Sequence, residues 1–120
     1  MSCTPKPNKR QIGSMYEVKA EEYLEKKGYI ILENNFRNRT GEIDIIAKDN
    51  EYIVFVEVKF RTNTKYGLPR EAVNRVKQKN IINVAKFYIE RKKLDSFFRF
   101  DVVEVFNNDI KHIINAFWEV

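Results

Sequence analysis

One cysteine, Cys3, is all the sulfur nucleophile this 120-residue chain has, and it lies close to the N-terminus. A lone cysteine forms no internal disulfide, and no Cys/His spacing points to zinc. Four glycines, Gly13, Gly28, Gly41 and Gly67, are too scattered to build a phosphate-cradling loop. No apolar run approaches the ~18 residues of a membrane span. Residues Met1 to Asn8 are polar and contain proline, without the apolar stretch of a secretory leader. The expected setting is therefore a reducing cytoplasm, with no membrane partner.

What is present supports a folded, basic domain. Hydrophobic residues make up 43% and charged residues 32%, enough for a packed core. Twenty-two Lys and Arg against 17 Asp and Glu give a net charge of +5, a moderate excess that favours a polyanionic partner.

Periodicity organises the chain. Residues 1–12 read as a basic tail and 13–120 as one domain. Ser14 to Lys27 reads as a helix whose apolar stripe is Met15, Val18, Tyr23 and Leu24, stopped by Gly28. Tyr29 to Leu32 reads as a short strand, and Glu33 to Thr40 as its extension or a loop. Glu42–Lys48 and Tyr52–Phe60 are β-rich runs joined at Asp49-Asn50, a dipeptide suited to a tight turn. A loop with Gly67 and Pro69 leads to a helical pattern from Arg70 to Lys92. Phe97–Phe106 and Ile110–Ile114 are further strands. The order αβββαββ implies a mixed sheet flanked by helices.

The central hairpin carries the chemistry. With the turn centred on Asp49-Asn50, Glu42 opposes Glu57, Asp44 opposes Phe55 and Ile46 opposes Ile53. One face then holds Ile43, Ile45, Ala47, Tyr52, Val54, Val56, Val58 and Phe60, all apolar. The other holds Ile46, Ile53 and Phe55 at its turn end, and Glu42, Asp44, Glu57 and Lys59 at its open end. Two carboxylates ~5 Å apart at an effective dielectric of ~20 repel by roughly 3 kcal/mol. A divalent cation removes that conflict: Mg²⁺ and Mn²⁺ take oxygen ligands, and a neighbouring lysine can position water or offset charge on a phosphate. The alternative is a solvated, salt-bridged sheet face.

Several other residues have two readings. Glu17 could close a Ser14-x-x-Glu17 capping box or supply a further carboxylate. Glu42 could be a ligand or the partner of a neighbouring arginine. Asp101 reads as a strand residue paired with an arginine, His112 as structural and Trp118 as packing. Arg37, Arg39 and Arg61 lie near the acidic end of the hairpin and are the expected phosphate contacts, with Arg75 and Lys79, spaced i, i+4, extending the path.

The motifs Gly13-x-x-x-Glu17-x-x-Ala20, Asn35-x-Arg37, Gly41-Glu42-Ile43-Asp44, Phe55-Val-Glu57-Val-Lys59-x-Arg61, Arg99-Phe-Asp101-Val and His112-x-Ile-Asn115-Ala-Phe117 resemble the YraN family of small bacterial proteins. That family is similar to Holliday-junction resolvases and shares the restriction-endonuclease-like, PD-(D/E)XK fold. The resemblance implies an α/β nuclease core in which Asp44 and Glu57 hold Mg²⁺ or Mn²⁺, Glu17 completes the site and Lys59 is the catalytic lysine. It also implies DNA as partner and a homodimer, although no self-complementary surface is legible in the sequence. Two positions depart from the pattern. Ile43 replaces the proline usual before the aspartate, and Tyr16 stands where relatives often have glycine.

Overall fold

A computed structural model describes residues 9–61 and 73–118, with side chains from Met15 onward. The elements are α1 (Lys9–Lys26), β1 (Ile30–Arg37), β2 (Glu42–Asp49), β3 (Tyr52–Arg61), α2 (Arg75–Lys92), β4 (Phe97–Phe106) and β5 (Asp109–Phe117). They follow the expected αβββαββ order. Five strands form one sheet in the order β1-β2-β3-β4-β5. Only β3 and β4 run parallel, the connection between them passing through α2; the other neighbours are antiparallel. This is the mixed sheet with flanking helices expected of a restriction-endonuclease-like core.

Each face of the sheet has its own core. Ala20 and Leu24 of α1 pack on Ile45, Ala47, Val54, Val56, Val103 and Val105. Ile81, Ile82, Val84, Ala85 and Tyr88 of α2 pack on Ile46, Ile53, Phe55 and Val102. Strands β3 and β4 are therefore apolar on both sides, as a central parallel pair requires.

Several local expectations are corrected. Helix α1 begins at Lys9, so Ser14 lies inside it and cannot be its N-cap. The expected stripe does not hold either: Met15 and Val18 are exposed, while Ala20 and Leu24 are buried. Met15 and Leu24 are about 2.5 helical turns apart and so lie on opposite sides. Helix α2 begins at Arg75 rather than Arg70, capped by Asn74, whose side chain accepts from Lys77 N at 2.9 Å. Of the tail expected over residues 1–12, residues 9–12 belong to α1, while residues 1–8 and the loop with Gly67 and Pro69 lie outside the described residues. Trp118, expected to pack, is exposed.

The hairpin turn sits at Asn50-Glu51, one residue later than expected, with Asn50 at φ 53°. Ile46 therefore opposes Phe55 rather than Ile53. Because the register moves by two residues, the alternation of faces survives. Ile43 is the exception. It joins the core under α2 together with Phe36, its partner on β1. The break coincides with Asn35 on β1, held at φ 52°.

Candidate functional site

The ladder between β2 and β3 ends at the pair Ile45–Val56, although both strands continue. Beyond that point Asp44 replaces the ladder: its Oδ2 accepts from Val58 N at 2.8 Å. Continuing the observed register brings Asp44, not Glu42, level with Glu57. The strands fork here, and both helices reach into the opening. The resulting cavity, about 390 Å³, is lined by Tyr16 and Glu17 of α1, Asp44 of β2, Glu57 to Phe60 of β3 and Lys77 of α2.

Three carboxylates meet at one side. Glu17, Glu42 and Asp44 each offer an oxygen, and these atoms lie within 4.8 Å of one another. Oriented to satisfy both its ends, the Asn35 amide donates to Glu17 Oε2 at 3.0 Å and Glu42 Oε1 at 3.1 Å. The left-handed backbone at Asn35 thus places an N–H donor between two acids. Glu42 is positioned by the preceding turn, in which Asn38 Oδ1 accepts from Thr40 N and Gly41 N at 2.8 and 3.3 Å. Glu42 meets Arg37 at 3.7 Å, the arginine pairing that was the alternative reading of this residue.

Glu57 stands beside Asp44, within side-chain hydrogen-bonding reach of it, and also faces the lysines. It is 3% exposed, and its Oε1 contacts Lys77 Nζ directly and Lys59 Nζ at 3.5 Å. It therefore stands outside the oxygen trio in this arrangement. Lys77 escaped the sequence reading because its partner lies on β3, across a long crossover. The available signal was Asn74, which as N-cap places Lys77 in the first turn of α2.

The electrostatics follow from crowding. Burial pushes the Asp44 carboxyl up to about 8, and the charges of Glu57 and Glu17 push in the same direction against the Val58 hydrogen bond. Burial also raises Glu17, helped by Glu42 and Glu57 and opposed by Asn35. Lys59 is lowered by burial first and then by neighbouring Lys77, against the pull of Glu57. For Lys77 burial works downward, but the hydrogen bond and charge of Glu57 outweigh it, so the ammonium is held above its usual range. All donors of the trio are carboxylate oxygens, the set that hard divalent cations prefer. The residues present thus fit Mg²⁺ or Mn²⁺, with Glu17, Glu42 and Asp44 as the group best placed to hold it.

The expected phosphate contacts divide. Arg37, Arg39, Arg75 and Lys79 are exposed. Arg61 is not disposed that way. Its side chain is 12% exposed and its Nε lies 2.7 Å from the buried Glu104 Oε2, an ion pair between neighbouring strands.

A second polar cluster lies elsewhere in the fold. Asp101 is fully buried and accepts from Arg99 Nε at 2.9 Å, Arg99 Nη2 at 3.0 Å and Asn115 N at 2.9 Å, with His112 Nε2 at 2.7 Å. Arg99 also reaches Tyr29 OH at 2.7 Å and Asp49 at 3.2 Å. As expected, Asp101 is paired with an arginine, and His112 is held against the same carboxylate. The cluster ties β4 to β2, β5 and Tyr29, the residue before β1.

The comparisons with known proteins bear on the whole of this architecture. The family model described as "Uncharacterised protein family UPF0102" matches residues 16–105. The chain belongs to this family. It is 49% identical over 117 residues to a UPF0102 protein of Caldicellulosiruptor saccharolyticus, covering 92% of this chain and 99% of that one. A UPF0102 protein of Clostridium beijerinckii is 51% identical over 115 residues, covering 90% and 94%. One from Persephonella marina is 49% identical over 106 residues, covering 88% and 91%. The UPF0102 match runs from Tyr16 in α1 to Val105 in β4 and so includes every residue of the cavity. Among the described residues no helix is long and apolar enough to cross a membrane.

Proposed function

We propose that this UPF0102 protein is a divalent-metal-dependent nuclease that hydrolyses DNA phosphodiester bonds. The observation that carries the reading is the convergence of Glu17 from α1 with Glu42 and Asp44 from β2, beside two lysines. A cation held there supplies Lewis acidity and a water of lowered pKa. Glu17, Glu42 and Asp44 hold the cation. Lys59, half-buried and with its ammonium less firmly protonated than usual, orients the attacking water or offsets charge on the phosphate. Lys77 holds Glu57 in place beside Asp44. Exposed Arg37, Arg39, Arg75 and Lys79 position the backbone without reading sequence. The resolvase-like resemblance favours a branched or single-stranded substrate.

A second reading has its own observation. Glu57, which the resemblance makes a metal ligand, is engaged by two lysines instead, as in a nucleic-acid-binding module that keeps the fold without catalysis. Mn²⁺ titration combined with a nicking assay decides. The nuclease binds Mn²⁺ and nicks DNA, and both are lost together in Asp44→Ala and Glu17→Ala. The module holds DNA with unchanged affinity in those variants and never cuts it.

A further inference from the structure

Phe60 follows Lys59 on β3, and its side chain emerges on the side of α1. Its ring is stacked on Tyr16 with centroids 4.6 Å apart and planes 2° from parallel. Among the described residues, Phe60 is the single large hydrophobic side chain that both lines the acidic cavity and is strongly exposed, at 48%. The other exposed apolar side chains, such as Met15, Val18 and Val76, lie outside the cavity lining and are the scattered kind that any surface carries.

From this arrangement we infer that the Tyr16–Phe60 pair is a stacking platform for one unpaired nucleobase of single-stranded DNA. Three features argue for that occupant. A stacked neighbour fixes the plane of the Phe60 ring, so little side-chain freedom remains to be lost on binding. Although successive residues of a strand point to opposite sides, Lys59 and Phe60 both line the cavity at the fork and offer it an ammonium and an aromatic ring one residue apart. A nucleotide presents the same pair of features, an anionic phosphate and an adjoining flat base. Ammonium groups stand near the ring pair, with Lys19 Nζ 5.9 Å from the Tyr16 centroid and Lys59 and Lys77 lining the cavity. Bases inside a duplex are already stacked on their neighbours, so an isolated ring at a cavity mouth takes an unpaired one. The inference rests on the proposed DNA-directed function and specifies its substrate as unpaired DNA.

Binding is measured with the full chain in EDTA, which separates stacking from cutting. A short single-stranded DNA containing 2-aminopurine reports base stacking by fluorescence quenching, and anisotropy reports affinity for that strand and for a matched duplex. The wild-type chain is expected to quench the probe and to prefer the single strand. Phe60→Ala should lose on the order of tenfold or more in single-strand affinity, together with the quenching, at unchanged duplex affinity. Phe60→Trp should keep both. Phe60→Leu retains bulk without the π face and should behave like Phe60→Ala, so the test survives if the alanine variant unfolds. Single-strand affinity within twofold of wild type in Phe60→Leu, equal losses for single strand and duplex, or no single-strand binding by the wild-type chain would each overturn the inference. So would a change of oligomeric state in Phe60→Leu with unaltered DNA binding, which would assign the pair to an interface between copies. Stacking without Mn²⁺-dependent cutting supports the platform and removes the nuclease reading. Cutting that is unaltered in Phe60→Ala and Phe60→Leu does the reverse.

Discussion

Asp44 on β2 and Asp101 on β4 make the same backbone contact with opposite consequences. Each accepts an amide from the neighbouring strand, Val58 N at 2.8 Å and Asn115 N at 2.9 Å, where the regular ladder is interrupted. Around Asp101 stand Arg99 and His112, and its carboxyl is held below the usual range although burial alone would raise it. Around Asp44 stand Glu17, Glu42 and Glu57, and its carboxyl is pushed up to about 8. One aspartate is sealed by partners. The other is kept in a setting that only a proton or a cation relieves.

The Asp44 setting predicts an unusual pH dependence of stability. A carboxyl whose folded pKa lies above its unfolded value favours the fold at low pH. That contribution is lost as pH rises from the ordinary carboxylate range through about 8. Without divalent cations, urea denaturation should show stability declining across this window, and Asp44→Asn should flatten the decline. The shift sets an upper limit of several kcal/mol, and coupling to Glu57 will reduce it. A wild-type curve parallel to that of Asp44→Asn between pH 5 and pH 8 would contradict the assignment.

Cation binding should follow the same proton. Because the carboxylate must ionise to bind, Mn²⁺ affinity is expected to rise with pH and level off above about 8. Calorimetry in buffers of differing ionisation enthalpy should detect close to one proton released per ion near neutral pH. Release of none would mean that Asp44 does not bind the ion.

Lys77 provides a test of charge balance. Replacing it by glutamine removes one of the two ammonium groups on Glu57 and the neighbour that helps to lower Lys59. Lys59 should then keep its proton to higher pH, visible in its side-chain NMR titration. Mn²⁺ affinity should rise severalfold, because a positive charge has left the cavity. Weaker Mn²⁺ binding in Lys77→Gln would show that Lys77 supports the cation site through Glu57 rather than competing with it.

The Asp101 cluster should matter for stability. Asp101→Ala leaves Arg99 and His112 without their shared acceptor, and removing one partner of a buried pair costs about 3 kcal/mol or more. The depressed carboxyl stabilises the fold above the ordinary carboxylate range, and this contribution is lost as pH falls through the lower folded value. The wild-type acid limb should therefore be steeper than that of the variant in thermal unfolding followed from neutral to low pH.

The parts of this fold legible from sequence were those governed by period. Strand β4 and the end of α2 fall where the pattern placed them, and a turn misplaced by one residue still left Glu57 and Lys59 on a common face. Boundaries governed by competing signals were less legible. Ser14 and Glu17 have the spacing of a capping box, yet the helix continues back to Lys9. Partners from distant elements were invisible. Nothing local to Lys77 or Asn35 says that one meets Glu57 and the other bridges Glu17 and Glu42, because those meetings depend on the fork between β2 and β3. Arg61 sits beside the acidic motif in sequence, but it is drawn to Glu104 on the adjacent strand.

Glu17 is where the two sequence readings diverge most sharply, and paired substitutions separate them. A residue closing an N-terminal cap contributes about 1 kcal/mol, and so does its serine. Inside a helix, Ser14→Ala should instead be neutral or stabilising by a few tenths, since alanine is the better helix former. Glu17→Gln should likewise leave thermal stability near or slightly above wild type, because it removes a partly buried charge facing Glu42 and Glu57. The same variant should lower Mn²⁺ affinity by about tenfold or more, since one of three convergent oxygens loses its charge. The glutamine can still meet Asn35, so the geometry of β1 is retained while the cation site is weakened. Loss of stability in both variants with Mn²⁺ binding intact would return Glu17 to the role of a cap and leave the trio one ligand short.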